Sequence, residues 1–263
     1  MAKTNDGKEL RKEFELWGWK WETCMESERP LHPNDPRYYV NQDNVIINNN
    51  DSITLTIEHK PQTINWYDVG WKTPKIDYTP EYACGLIKSI DTVPVNSIIE
   101  ADLMFPKGAN LWPSFWLTAC DAWPPEIDIV EGYTNKKGSY KDGWNFHWQW
   151  PFLYREYRME TNVHYKGEEK EHLQTGAKCV HPKVLNLPLE ENWNRFKCIW
   201  TESSIEIYIN DKLVRFINDE YILSKMKTDG MWVIFNIWPN KVYKNNSTCE
   251  HRFSIKNFKV VNI

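Results

Sequence analysis

The sequence contains no apolar run that approaches the roughly 18 residues a membrane helix needs. Its 32 basic and 36 acidic residues leave a net charge of −4 and form no long block of one sign. These absences argue against a membrane protein and against nucleic acid or an anionic membrane surface as a partner. The first ten residues also lack the apolar core of an export signal, so we expect either a trimmed sequence or export by other means.

Metal-binding motifs are missing as well. The six cysteines include no Cys-x-x-Cys pair, and His147, His164, His172 and His181 do not have the spacing of a zinc site. Up to three disulfides can form, although several cysteines stand in strand-like apolar runs, where a buried free thiol is the commoner outcome. We predict no metal and no cofactor requirement; a structural Ca²⁺ is an alternative that no motif indicates.

Aromatic residues are abundant: the chain has 15 Trp, 13 Tyr and 10 Phe, although its mean hydropathy is −0.66. Sugar rings stack their apolar CH faces on flat aromatic side chains, while their hydroxyl groups need polar partners. A polar chain rich in tryptophan therefore suits a carbohydrate-binding groove. The alternative, from composition alone, is a core that uses many tryptophans.

Short apolar or alternating runs recur along the chain between Pro, Gly, Asn and Asp, and few windows hold a helical period for three turns. The turn residues at 48–51 and 210–211 predict two β-hairpins. The predicted strands are residues 44–47, 52–57, 98–105, 114–118, 126–131, 195–201, 204–209, 212–216 and 231–238.

Helix is scarce, with candidates only at residues 219–227 and 5–15. No internal repeat or low-complexity linker divides the chain. We therefore predict one all-β domain over residues 1–263, built from two packed antiparallel sheets. A long irregular excursion over about residues 134–188 is expected to carry much of the diversity of the site.

Three acids stand in the strand segment Glu126-Ile127-Asp128-Ile129-Val130-Glu131. Side chains alternate faces along a strand, so Glu126 and Asp128 point the same way, while Glu131, five positions after Glu126, points the opposite way. One extra residue in a β-bulge between Asp128 and Glu131 turns Glu131 onto the shared face. We therefore predict a bulge there and three carboxylates in a row.

Two glutamates on one strand face suit glycoside hydrolysis. The bulge leaves the backbones of Glu126 and Glu131 about 13 Å apart, and side chains that lean together reach the roughly 5–5.5 Å carboxyl separation of retaining enzymes. One glutamate then attacks the anomeric carbon and the other acts as acid and base. Asp128 between them raises the proton affinity of the acid. The alternatives are a solvated acidic strand face, a salt bridge or a Ca²⁺ site.

These residues resemble glycoside hydrolase family 16, the laminarinases, lichenases, agarases, porphyranases and carrageenases, in its Glu-x-Asp-x-x-Glu form. The resemblance covers about residues 44–238, and it implies a jelly-roll β-sandwich whose concave sheet lines an open cleft. On that resemblance Glu126 is the nucleophile, Asp128 the assisting carboxylate and Glu131 the general acid/base. The flanking segments that agree in order are Tyr82-Ala83-Cys84-Gly85-Leu86-Ile87-Lys88-Ser89, Pro106-Lys107-Gly108, Leu111-Trp112-Pro113-Ser114-Phe115-Trp116-Leu117 and Ile234-Phe235-Asn236-Ile237.

The resemblance also implies substrate-binding residues. Trp116 and Trp123 match positions where the family stacks sugars beside the scission point, and His164 matches its site histidine. The alternative is that each of them is an ordinary core or surface residue. Residues 144–150 alternate large and polar side chains, which suggests a cleft strand that presents His147. Trp112 and Asn236, in the matching segments, complete the candidate set.

The sequence departs from the family pattern in ways that leave the sugar open. Pro125 replaces the Gly before the first glutamate, Asp102 replaces Arg, Cys84 replaces Ser, and Trp238-Pro239-Asn240 replaces a Gly-Gly run. Basic residues at 155, 158, 166 and 170 favour a sulfated sugar, but five interleaved glutamates make that signal ambiguous.

We expect an endo-acting hydrolase of a β-linked polysaccharide, with β-1,3- or β-1,3-1,4-glucan ahead of a red-algal galactan such as agarose, porphyran or carrageenan. The competing classes are a non-catalytic glycan-binding module on the same sandwich and a structural sandwich without a ligand. The intact set of three acids argues against the module. We expect a monomer, and the substrate class predicts a secreted or extracytoplasmic location.

Overall fold

The computed structural model describes residues 3–4, 9–25, 31–32, 35–49, 51–66, 76–108, 110–134, 141–146, 153–157, 159–239 and 251–263. Within these ranges the regular structure is almost entirely β-strand, with one α-helix, α1 (Glu220–Lys225), and 3₁₀ turns at Gln42–Asn44 and Pro182–Val184. The strands are β1 (Lys3–Thr4), β2 (Glu13–Leu16), β3 (Trp19–Glu22), β4 (Leu31–His32), β5 (Asp35–Val40), β6 (Val45–Asn48), β7 (Ser52–His59), β8 (Ile64–Trp66), β9 (Ile76–Tyr78), β10 (Tyr82–Cys84), β11 (Leu86–Ser89), β12 (Ser97–Met104), β13 (Leu111–Ala119), β14 (Glu126–Gly132), β15 (Lys141–Phe146), β16 (Leu153–Tyr157), β17 (Met159–Lys166), β18 (His172–Gln174), β19 (Lys178–Cys179), β20 (Asn194–Trp200), β21 (Ile205–Ile209), β22 (Lys212–Ile217), β23 (Met231–Pro239) and β24 (His251–Asn262).

Two large sheets contain most of these strands. The first, called the site sheet below, has the order β18-β17-β14-β13-β23-β11-β3-β2, with β19 also paired to β17. The second, called the back sheet, has the order β22-β21-β20-β12-β24-β7-β10-β5-β4, with β6 paired to β7. Neighbouring strands are antiparallel except for β5 and β10. Smaller sheets are formed by β1-β8-β9 and by β15-β16.

The core lies between the two large sheets. Phe115 and Phe235, from neighbouring strands of the site sheet, are fully buried and stack with their ring centroids 4.3 Å apart. Phe258, on β24 of the back sheet, meets Phe235 at 5.9 Å and Trp21 of the site sheet at 5.0 Å. Because side chains alternate along a strand, the neighbours of Phe115 in sequence face away from this core. The other face of the site sheet therefore carries the side chains that alternate with these core residues.

The predicted all-β sandwich is confirmed, and every predicted strand overlaps an observed one. Asn210 and Asp211 both have positive φ, as a two-residue hairpin turn requires, so the β21–β22 hairpin is confirmed with its turn chemistry. The helix predicted at residues 219–227 is α1. Its N-terminus is capped by Asp219, whose carboxylate accepts the backbone N–H of Ile222 at 3.0 Å.

The helix predicted at residues 5–15 is wrong over its described part. Residues 13–16 form β2, which pairs with β3 in the register Phe14↔Trp21 and Leu16↔Trp19. Apolar Phe14 and Leu16 alternate with glutamates, which is the period of a strand, and the partner strand decides the outcome.

The excursion predicted as irregular over residues 134–188 is wrong in part, because it contains β15 to β19. Strand β17 pairs with the carboxylate strand β14 over residues 159–164 and is therefore part of the site sheet. Buried and exposed residues do not alternate strictly along β17, since residues 161–163 are all buried. Several of its residues are polar, so the sequence does not show the alternation of apolar and polar residues that predicts a strand. His147 lies outside the described residues.

Cys120, which follows an apolar strand run, is a free thiol that is only partly buried. Cys198 is a buried free thiol, the outcome predicted for cysteines in strand-like runs, and Cys24 is a buried free thiol as well. Burial raises the pKa of both thiols. Among the described residues, no helix is long and apolar enough to cross a membrane.

Candidate active site

The carboxylate strand β14 contains the predicted bulge. Asp128 pairs with Asn162 of β17, and Glu131 pairs with Glu160. Between these two pairs β14 advances by three residues and β17 by only two, so β14 contains one extra residue. On the other side, consecutive residues of β13 pair with Asp128 and Val130, which leaves Ile129 as the extra residue. Ile129 and Val130 are both fully buried. The bulge turns Glu131 onto the face that Glu126 and Asp128 already share.

The pairing aligns three rows of outward-facing side chains across β13, β14 and β17. Each acid occupies one row, between a β13 residue and a β17 residue. The rows are Thr118, Glu126 and His164; Trp116, Asp128 and Asn162; and Ser114, Glu131 and Glu160.

Glu126 and Asp128 share a histidine. His164 Nε2 lies 3.0 Å from Asp128 Oδ2 and 3.6 Å from Glu126 Oε1. Trp123, from the loop before β14, donates its indole N–H to Glu126 Oε2 at 2.8 Å. The side chain of Asp128 is 4% exposed and that of Glu126 is 15% exposed. Glu126 is therefore the more accessible carboxylate of this pair.

Glu131 has aromatic partners of its own. Trp112 donates its indole N–H to Glu131 Oε1 at 2.9 Å, and the Tyr133 hydroxyl also hydrogen-bonds Glu131. The rings of Trp112 and Tyr133 stack with their centroids 5.5 Å apart at an interplanar angle of 25°. These contacts hold Glu131 in a fixed orientation beside the other acids.

The electrostatics of the three acids favour protonation. Burial, then the charge of Asp128, raises the pKa of Glu126 well above its ordinary value; the charge that His164 carries when protonated and the Trp123 N–H act in the opposite direction. Burial, then the charge of Glu131, raises the pKa of Asp128 well above its ordinary value. Burial also raises the pKa of Glu131, against its hydrogen bonds from Trp112 and Tyr133. Like charges this close cannot all ionise, so the cluster retains protons at a pH where exposed carboxylates have lost theirs.

Arg215 lies behind the site and was not identified from the sequence. It comes from β22, at the edge of the back sheet, and donates to the backbone oxygens of Thr161 at 2.7 Å and Gly176 at 3.0 Å and to the Thr175 hydroxyl. Burial lowers the pKa of its guanidinium, and the charge of Asp128 opposes that effect. Arg215 therefore ties β17 to the back sheet and places a cation behind the acids.

The predicted aromatic and amide residues lie around the acids. Trp123 is 50% exposed, whereas Trp116 is half-buried and donates its indole N–H to Asn236 Oδ1 at 2.7 Å. Asn236 is 1% exposed, so it lies beneath Trp116. The structure thus brings together Trp112, Trp116, Trp123, His164 and Asn236 with the three acids.

One group in this cluster has the composition of a metal site. Glu126, Asp128 and His164 each offer an atom able to bind a cation, and these atoms lie within 4.8 Å of one another. Ligands must be deprotonated to bind a metal, and the raised pKa values of both acids oppose this. The absence of a metal requirement stays a prediction.

A model of the family described as glycosyl hydrolases family 16 matches residues 34–256. Among solved structures, LamAcat from Zobellia galactanivorans aligns with a TM-score of 0.63 at 12% identity, over 97% of this chain and 94% of that one. The GH16 protein of the Bacteroides ovatus mixed linkage glucan PUL, in complex with G4G4G3G product, aligns with a TM-score of 0.62 at 18% identity, over 95% and 99% of the two chains. At these identities the likeness establishes the fold alone.

One curated relative matches over a short segment. The galactan endo-β-1,3-galactanase of Flammulina velutipes is 37% identical over 54 residues, which are 19% of this chain and 22% of that protein. The matched segment therefore spans about a fifth of the length of that relative.

Proposed function

The chain belongs to the glycosyl hydrolases family 16, and from that premise we propose that it is a retaining endo-glycoside hydrolase of a β-linked polysaccharide. The observation that carries the proposal is the bulge in β14, which gathers Glu126, Asp128 and Glu131 on one face of the site sheet. A strand without the bulge would turn Glu131 into the core and leave no second catalytic group.

Glu126 is the proposed nucleophile. It is more exposed than Asp128, and the Trp123 N–H is placed to stabilise its ionised form. Its attack on the anomeric carbon forms a covalent glycosyl-enzyme, while Glu131 protonates the departing glycosidic oxygen. The raised pKa of Glu131 suits a group that must deliver a proton near neutral pH.

The second step reverses the role of Glu131. Ionised after the first step, it removes a proton from a water molecule that attacks the glycosyl-enzyme, and the sugar leaves with its original configuration. Asp128 is the assisting carboxylate: when it carries a proton it adds no charge beside Glu126, which can then ionise. Trp112, Trp116 and Trp123 are proposed to contact sugar rings, and Asn236 to position Trp116.

For the polysaccharide we propose a β-1,3- or mixed-linkage β-1,3-1,4-glucan. Trp123, half-exposed and hydrogen-bonded to the nucleophile, gives an apolar surface at the scission point for the flat face of an all-equatorial glucose unit. A second candidate is a β-1,3-linked galactan, which the local similarity to a galactan endo-β-1,3-galactanase favours. Red-algal galactans remain the alternative within the same reaction class. We also propose a single domain, a monomer and an extracytoplasmic location.

A reducing-end assay on laminarin, lichenan, β-1,3-galactan, agarose, porphyran and carrageenan tests the proposal. We expect new reducing ends from laminarin or lichenan, a rapid fall in viscosity as internal bonds break, and no reaction with Glu126→Gln. Activity on β-1,3-galactan alone would select the second candidate. Binding without hydrolysis of any of these polymers by the wild-type protein would contradict the enzymatic proposal and support a glycan-binding module.

A further inference from the structure

A second histidine contacts the site histidine from outside. His172 begins β18, next to β17, and its Nε2 lies 2.7 Å from Nδ1 of His164. The two imidazoles stack with their centroids 5.0 Å apart at an interplanar angle of 20°. The His172 ring also packs against Trp123, with a centroid distance of 4.7 Å. His172 therefore contacts both residues that approach Glu126.

The hydrogen bonds around Asn162 determine which nitrogen of His164 carries the proton. The backbone N–H of Val163 and the hydroxyl of Thr175 donate to Asn162 Oδ1 at 3.0 and 3.3 Å. This fixes the amide orientation, so Asn162 Nδ2 donates to Gln174 Oε1 at 2.8 Å and faces His164 Nε2 at 3.1 Å. A nitrogen that faces an N–H donor is an acceptor, so the proton of a neutral His164 lies on Nδ1.

We propose that His172 is a positioning residue, which accepts the Nδ1–H of His164 and so fixes the tautomer whose unprotonated Nε2 can accept a hydrogen bond from protonated Asp128. The inference rests on the proposed function, because it assigns His172 a part in keeping Asp128 neutral beside the nucleophile. Histidines that act at a site commonly have one ring nitrogen fixed by such a partner, which sets the state of the other.

Two further observations agree with this arrangement. Burial raises the pKa of Asp128 well above its ordinary value, so a proton is available for the 3.0 Å contact with His164 Nε2. Burial lowers the pKa of His172, which keeps His172 neutral and able to accept. An ionised Asp128 would instead face a lone pair of His164 at 3.0 Å, which is a repulsive contact.

Two variants separate the hydrogen bond from the packing. His172→Gln keeps an acceptor oxygen on a flexible side chain but loses the ring, whereas His172→Phe keeps a ring against Trp123 but loses the acceptor. We expect kcat to fall about ten- to hundredfold in the Phe variant, by analogy with the loss of a partner that orients a metal-binding histidine. The Gln variant should retain most of kcat. The opposite ranking would show that His172 acts only by packing and would overturn the proposal.

A measurement that does not depend on turnover completes the test. In ¹⁵N-histidine-labelled protein, long-range ¹H–¹⁵N spectra distinguish a protonated ring nitrogen from an unprotonated one, and His164→Asn identifies the resonances. We expect His164 protonated on Nδ1 in the wild type and in the Gln variant, and a mixture of tautomers in the Phe variant. A wild-type His164 protonated on Nε2 alone would overturn the inference. A protein that shows the expected tautomer and hydrolyses no polysaccharide would contradict the proposed function and leave this hydrogen bond established.

Discussion

Replacing Asp128 with asparagine should make the protein more stable at neutral pH. Asp128 is 3% exposed and lies between two other acids, and burial followed by the charge of Glu131 raises its pKa. Asparagine has nearly the same shape and is neutral at every pH, as the protonated acid is. The variant therefore keeps the packing and removes the cost of holding an acid in a site that disfavours its ionised form.

The sign of the effect follows from proton linkage. A group whose folded pKa is raised contributes stability that is complete below its unfolded pKa, about 3.9 for Asp, and that is lost as pH rises toward the folded pKa. In that window the folded state holds one more proton than the unfolded state at this site. The free energy of unfolding of Asp128→Asn relative to wild type should thus grow by about 1.4 kcal/mol per pH unit. Each kcal/mol corresponds to a rise of about 2–4 °C in Tm.

This slope is measured by denaturant unfolding of both proteins at several pH values between about 4 and 7. The range begins near the pKa of Asp in the unfolded chain and extends toward its raised pKa in the folded protein. Asp102→Asn is the matched control, because Asp102 is also buried but is paired with Arg195 at 3.2 Å and accepts a hydrogen bond from Asn257 at 2.7 Å. The control should lose stability. A stability difference for Asp128→Asn that is independent of pH would refute the reasoning, because Asp128 would then ionise equally easily in both states.

Three other substitutions test the contacts around the site. Trp123→Phe removes the N–H that stabilises ionised Glu126, a charged hydrogen bond worth about 1.5–3 kcal/mol. The acidic limb of the pH profile of kcat/KM should therefore move to higher pH. An unmoved limb would contradict the assignment of Glu126 as nucleophile. Trp112→Phe removes the corresponding donor to Glu131, so the basic limb should move to higher pH, and a shift to lower pH would count against Glu131 as the acid. Arg215→Met leaves buried backbone oxygens without a donor and should lower the free energy of unfolding by about 1–3 kcal/mol, measured by urea denaturation. Unchanged stability would show that the hydrogen bonds of Arg215 do not stabilise the connection between β17 and the back sheet.

The sequence was sufficient for the part of the site that lies on one strand. The parity of Glu126, Asp128 and Glu131 required an extra residue between the last two, and β14 has it at Ile129. The β21–β22 hairpin was equally predictable, because Asn210 and Asp211 tolerate the positive φ of its turn. In both cases the information is local and is set by backbone geometry.

The remaining site residues depend on contacts between distant strands. Arg215 is 54 positions from Thr161, and no local pattern marks a β22 residue as the support of β17. His172 reaches His164 only through the register in which His164 pairs with Gln174. The helix predicted at residues 5–15 failed for a related reason, since β2 is stabilised by its pairing with β3.

The assignment of Glu126 as nucleophile and Glu131 as acid/base is tested most directly by azide rescue of their alanine variants on an aryl β-glycoside of the identified substrate. Azide can take the place of the missing nucleophile in Glu126→Ala, so the product should be a glycosyl azide of inverted configuration. In Glu131→Ala azide attacks the glycosyl-enzyme, so the product should retain the β configuration. Proton NMR of the anomeric centre reads both outcomes, and the reverse pairing of variants and configurations would contradict the account.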